Sequence, residues 1–189
     1  MERKLWELVE KVNKELDNQG FKVIQKIDRG KRVLYGFLPQ AVFDSMNKVF
    51  GPENWGYEIL DSQVQSLEGK GMNSYAFVRI KVWIKDGDVI ASREAFGGSR
   101  NDNVGDALKG AITDAVQKGL AMLSVGRVAY EGELGKFYDC YNRIAEKLKS
   151  GDSAIKKAYA EFTKENGLGR LREWPLSKLL EFCEEYKIK

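Results

Sequence analysis

The run from Val104 to Val125 constrains this chain more than any other stretch. Val104, Ala107, Leu108, Ala111, Ile112, Ala115, Val116, Gly119, Leu120 and Leu123 recur every three or four residues. That spacing predicts a long amphipathic helix with one buried stripe. Asp102 or Asn103 can cap its start by accepting from an orphan backbone N–H, and Gly126 suits its end. Gly105, Gly110 and Gly119 lie inside the run. Each costs roughly 1 kcal/mol relative to alanine, so the helix is expected to bring another backbone close. That backbone is the chain's own sheet or a neighbouring subunit.

The segments before the helix supply the sheet. Trp55 to about Ser66, about Met72 to Lys85, and Asp88 to Phe96 read as three strands. Asp86-Gly87 joins the last two, a strong short-range hairpin signal. Leu67-Glu68-Gly69-Lys70-Gly71 separates the first two. Upstream, Leu5, Leu8, Val9, Val12 and Leu16 predict a helix that stops near Asn18-Gln19-Gly20. A short hairpin follows, Phe21–Ile27 with Arg32–Leu38, and then a helix opened by Pro39. The fold class is α+β: an antiparallel β-meander packed on a long helix. A further helix is expected over about Leu134–Leu148. Lys149-Ser150-Gly151-Asp152 marks a boundary, giving a core domain over 1–150 and a small helical C-terminal region over 151–189. The latter packs on the core or docks a protein partner.

Composition narrows the chemistry. The 189 residues hold 31 basic and 28 acidic side chains, a formal charge of +3, and 43% hydrophobic residues. The chain is therefore expected to be globular and only mildly basic. It contains no histidine, which removes the usual neutral-pH general base and the serine–histidine triad. Cys140 and Cys183 stand far apart with no CxxC pattern, so a disulfide is not expected and a reducing, cytoplasmic or nucleoid-associated location fits. No segment has the roughly 20 apolar residues of a membrane span, and the N-terminal residues do not read as a signal peptide.

Motifs for catalysis fail on inspection. Glu68-Gly69-Lys70-Gly71 lacks the hydroxyl residue and the leading glycine of a phosphate loop. Gly97 and Gly98 offer backbone N–H groups to an anion or form a plain turn. Glu94, Asp102 and Asp106 are the nearest set for a metal-dependent nuclease. Asp106 with Lys109 and Asp114 with Lys118, however, have the spacing of ordinary helical ion pairs. No enzyme, cofactor or metal site is expected. What remains is a set of cations: Lys31 and Arg32 after the early turn, Arg79, Lys81, Lys85 and Arg93 on the meander, and Arg100 shortly after it. Arg79, Lys81, Trp83 and Lys85 alternate onto one strand face. A basic face carrying an aromatic suits a nucleic-acid strand or is simply solvated.

Several segments together resemble the Rad fifty-two single-strand annealing family, including its phage Sak-like and bacterial DdrA-like branches. They are Val49-Phe50-Gly51-Pro52-Glu53-Asn54-Trp55, the strand Ala76-Phe77-Val78-Arg79-Ile80-Lys81-Val82 with Lys85-Asp86-Gly87, and Val104 to Lys118 continuing to Val125-Gly126. The resemblance spans about Asp28 to Leu134. It implies a β-β-β-α core, a homo-oligomeric ring or helical filament, and single-stranded DNA along a basic groove. Lys118 matches one member of a groove pair on the long helix, whereas Gln117 and Ala121 stand where further cations are common, and Ala41 where some members place a groove arginine. Lys109 matches a basic helix position, and Lys85 a hairpin lysine tied to a second DNA path. The expected function is ATP-independent annealing of complementary strands in recombination and double-strand break repair. The alternatives are a DNA-end-protecting binder and the metal-dependent nuclease.

Overall fold

The computed structural model describes residues 3–28, 30, 32–66 and 74–188. Among these the chain forms six α-helices and five strands: α1 (Arg3–Gln19), β1 (Ile24–Asp28), β2 (Val33–Phe37), α2 (Pro39–Phe50), β3 (Trp55–Ser66), β4 (Ser74–Asp86), β5 (Val89–Asn101), α3 (Val104–Met122), α4 (Leu134–Ser150), α5 (Ser153–Glu165) and α6 (Leu176–Glu185). The chain divides into two units. One comprises Met1–Asn13 with Val42–Arg127, the other Lys14–Ala41 with Val128–Lys189. The expected loop at Leu67–Gly71 lies outside the described residues.

The first unit is the expected meander, ordered β3-β4-β5 and antiparallel throughout. On β4 every even residue from Ser74 to Ile84 is buried, while Phe77, Arg79 and Lys81 are exposed. This period-two alternation marks a sheet with one covered face. The cover is α3. Its buried side is Ala107, Ala111, Ala115, Val116, Gly119 and Leu120. Asn103 is the N-cap, accepting from the Asp106 N–H at 2.9 Å. Its amide also donates to the Asp106 carboxylate at 2.6 Å. The other end is held by Asn13 of α1, which donates to the Ser124 carbonyl at 3.0 Å and accepts from the Gly126 N–H at 2.8 Å. The helix ends at Met122, short of the expected Val125.

The glycines explain how α3 approaches the sheet. A Cβ on Gly97 would strike the Ala111 carbonyl and the Ala115 nitrogen, and one on Gly110 would strike Ser99. A Cβ on Gly119 would lie 2.6 Å from Val82 and 3.5 Å from Ala95. The contacts therefore step down β5 (Ser99, Gly97, Ala95) as they step along α3 (Gly110, Ala111 and Ala115, Gly119). Nine helix residues rise about 13.5 Å, and four strand residues about 13.6 Å. The two repeats stay in phase, so the helix runs antiparallel to β5 with its backbone nearly on the strand. Of the two expected uses of these glycines, Gly110 and Gly119 serve packing on the chain's own sheet. Gly105 meets only its own N-cap side chain.

That approach also corrects the expected end of the third strand. Gly97 and Gly98 are not a turn: β5 runs through them to Asn101. Nor do they form an anion nest, because the Gly98 N–H donates to the Asp114 carboxylate at 3.1 Å.

The second unit holds the β1–β2 hairpin and the C-terminal helices. The expected strand from Phe21 begins only at Ile24, since Phe21–Val23 form a 3-10 turn. Phe21 stacks on Tyr141 of α4 with ring centres 3.7 Å apart, and Tyr35 of β2 leans on Tyr138 at 4.7 Å. Trp174 is fully buried among Tyr159, Phe162 and Phe182. Gly20, at φ 75°, lets the chain after α1 close onto the Trp174 carbonyl, which any Cβ there would strike. Asp17 accepts from both the N–H and the hydroxyl of Ser177 at 2.8 Å, capping α6 from a distant part of the chain. The apolar sides of α5 and α6 are thus spent inside this unit. Cys140 of α4 and Cys183 of α6 are joined in a disulfide with S–S 2.04 Å. The contrary expectation rested on sequence spacing, which carries no information about α6 lying on α4. No helix among the described residues is long and apolar enough to cross a membrane.

Gly97→Ala sets a methyl group against helix backbone, which cannot rotate away as a side chain would. A loss of about 1–3 kcal/mol is expected in urea unfolding. An unchanged midpoint would contradict the close approach.

Candidate nucleic-acid interface

Directly opposed residues of antiparallel strands share a face. The register therefore assembles the surface of the sheet that faces away from α3. From β4 it receives Tyr75, Phe77, Arg79, Lys81, Trp83 and Lys85. Opposite them β5 places Arg100, Gly98, Phe96, Glu94, Ser92 and Ile90. On the other flank β3 places Gln65, Gln63, Asp61, Glu58 and Gly56, with a register shift between Ile59 and Asp61.

Four of the expected cations meet here: Arg79, Lys81, Lys85 and Arg100. They do not form a purely basic track. Lys81 lies between Glu58 and Glu94, and Arg79 lies across from Asp61. Aromatic rings interleave with the cations. The Lys85 ammonium lies 5.7 Å from the centre of the Trp83 ring, and the Arg100 guanidinium 5.0 Å from that of Tyr75. Such cation–ring contacts hold a long side chain near an aromatic surface. Gly56 and Gly98 leave room for rings: Trp83 lies over the first and Phe77 over the second.

The other expected residues go elsewhere. Arg93 pairs with Val82 and so belongs to the helix side of the sheet. There it lines a cavity with Ala91, Met122, Leu123 and Ser124 and donates to the Ser92 carbonyl at 2.8 Å. Lys109 is exposed near the start of α3. Lys118, nine residues on and thus on the opposite side of the helix, is half-buried. Its ammonium lies 2.6 Å from the Asp114 carboxylate, the expected four-residue ion pair. Asp106 spends its carboxylate on Asn103 rather than on Lys109. Arg32 is exposed just before β2 in the second unit. Lys31 lies outside the described residues. Among the described residues no three carboxylates or cysteines form a group able to hold a metal ion. Glu94, Asp102 and Asp106 are therefore not gathered as the nuclease reading requires.

Sequence reasoning missed the acids Glu58, Asp61 and Glu94 on the cationic face, because pairing across strands is invisible without the register. It also passed over Phe77 and Phe96. Phe77 was legible as an odd-numbered neighbour of Arg79. Phe96 was not, since its face depends on how β5 pairs.

Asp114 anchors two partners at once, the Gly98 N–H of the edge strand and the Lys118 ammonium. The ion pair is partly solvated, so its own contribution is small. Asp114→Ala is expected to cost on the order of 1 kcal/mol by urea unfolding, mostly from the lost hydrogen bond to the strand N–H. No loss would mean that Asp114 does not hold the helix to β5.

Comparison with known proteins agrees with this architecture. The family model described as Rad52/22 family double-strand break repair protein matches residues 7–147, from α1 into α4. No curated protein matches the chain. The match takes in the whole three-stranded sheet and the helix that covers it, and on that ground the chain belongs to the Rad52/22 family of double-strand break repair proteins.

Proposed function

We propose that the chain is the protomer of a homo-oligomer that binds single-stranded DNA and anneals complementary strands during recombination and double-strand break repair, without ATP. The family match over residues 7–147 carries this reading. Two features of the first unit support it. The sheet has two long edges, β3 and β5, and Asp114 occupies one N–H of the β5 edge. An open edge invites another chain. On the helix side of β3, Tyr57, Ile59 and Val64 are 47%, 46% and 42% exposed. They are apolar positions of a covered face whose cover, α3, lies mainly over β4 and β5. A second copy is the natural occupant.

The cations then work by repetition. Arg79, Lys81, Lys85 and Arg100 on the outward sheet face, and Lys109 and Lys118 on the helix that covers the other face, give each protomer a few contacts, which copies in series repeat. Phosphate contacts of this kind release counterions and supply non-specific affinity. Lys118 must exchange Asp114 for a phosphate, or share itself between them. Annealing by this route is physical: strands are held, base edges meet, and no covalent bond changes.

The test mixes labelled complementary oligonucleotides with the protein and no nucleotide. Pairing faster than the spontaneous rate is expected. Lys118→Ala should weaken binding to all sequences alike and lower the salt slope of binding by about 1. Protection of DNA ends from nuclease without faster pairing would replace annealing by end binding.

A further inference from the structure

The sheet face that carries Arg79 and Arg100 is poorly made for holding phosphates alone. Its middle cation, Lys81, has an acid on either side, and Arg79 has Asp61 across from it. It is better made for flat, uncharged rings. Phe77 is 57% exposed and Phe96 69%, the latter the most exposed large hydrophobic among the described residues. Phe96 stands directly across from Arg79, and Phe77 across from Gly98. The Phe77 ring rests on the Gly98 backbone, about where a Cβ would lie 3.3 Å from it. That contact leaves the residue more than half exposed. Among the described residues, neither ring packs on another aromatic ring. Around them stand Arg100 over Tyr75, and the amides of Gln63 and Gln65 on β3, all exposed except the half-buried Tyr75.

We infer that this end of the outward sheet face is a stacking platform for unpaired nucleobases, with Phe77 and Phe96 as its rings. The inference rests on the single-strand-binding reading above and adds base contact to phosphate contact. Aromatic side chains accept any base because every base has a π-face. Exposed guanidinium planes can stack as well, and amides can bond base edges. The chemistry differs from that of the β3 strip of Tyr57, Ile59 and Val64, which is mostly aliphatic and on the opposite side of the sheet. The aliphatic strip suits a second copy, whereas rings with cations and amides suit bases.

The experiment compares two dye-labelled strands of equal length and charge, oligo-dT and an abasic phosphodiester strand, on the full chain by fluorescence anisotropy at several salt concentrations. Wild type is expected to hold oligo-dT roughly tenfold more tightly than the abasic strand, in line with ordinary base–aromatic stacking. The double variant Phe77→Ala with Phe96→Ala should fall to the abasic level on both strands and keep the wild-type salt slope. Both residues are exposed, so its unfolding midpoint should stay close to wild type, which circular dichroism checks. Equal wild-type affinity for the two strands would overturn the platform and leave phosphate binding standing. So would a variant that keeps the preference. A variant that loses both strands together with its light-scattering mass would assign the face to contact between copies and overturn the platform too. If wild type binds neither strand, the single-strand reading itself fails.

Discussion

Backbone-to-backbone approach between α3 and β5 is the constraint on which the first unit depends. It requires glycine at Gly97 on the strand, where a Cβ would strike helix backbone, while Gly110 and Gly119 on the helix make room for the side chains of Ser99 and Val82. The helical glycines cost helix stability, and the close fit on the sheet offsets that cost. The phase match between helix rise and strand rise keeps the contact going from Ser99 down to Ala95. It continues to the helix end, where Arg93 meets Met122 to Ser124 in a shared cavity. The helix lies mainly over β5 and β4, and most of β3 stays exposed.

The two sides of the sheet acquire different chemistry from this arrangement. The helix side offers aliphatic surface at its uncovered margin. The outward side offers cations, rings and amides, with acids that cancel much of the charge. A protomer of formal charge +3 is a weak polyelectrolyte by itself. In the proposed assembly, repetition would multiply its phosphate contacts, and stacking would add affinity that salt does not screen. Lys118, a proposed phosphate contact, is held by the same carboxylate that bonds the edge strand to α3.

Much of this was legible in the chain itself. The period of the Val104 run located α3 to within three residues at its C-terminal end. Asn103 was one of two candidate caps, and alternation alone puts Arg79, Lys81, Trp83 and Lys85 on one face of β4. The limits have physical causes. Gly97-Gly98 reads as a turn locally and is strand because a helix backbone needs the space. Arg93 reads as one more sheet cation and faces the helix because of β5 pairing. The acids opposite Lys81 depend on a register that passes through an irregularity at Ile59/Asp61. Cys140 and Cys183 are brought together only by the packing of α6 on α4. In each case long-range pairing decided the surroundings, and at Gly97-Gly98 it decided the element as well.

The central claim is that many copies of a weakly charged protomer form one continuous support for an unpaired strand. Light scattering on the purified chain, with and without oligo-dT in dilute buffer, tests it most directly. A mass several times the 21.4 kDa of one copy is expected, with the oligonucleotide carried in the same species. A mass of one protomer that ignores oligo-dT even at low salt would contradict it.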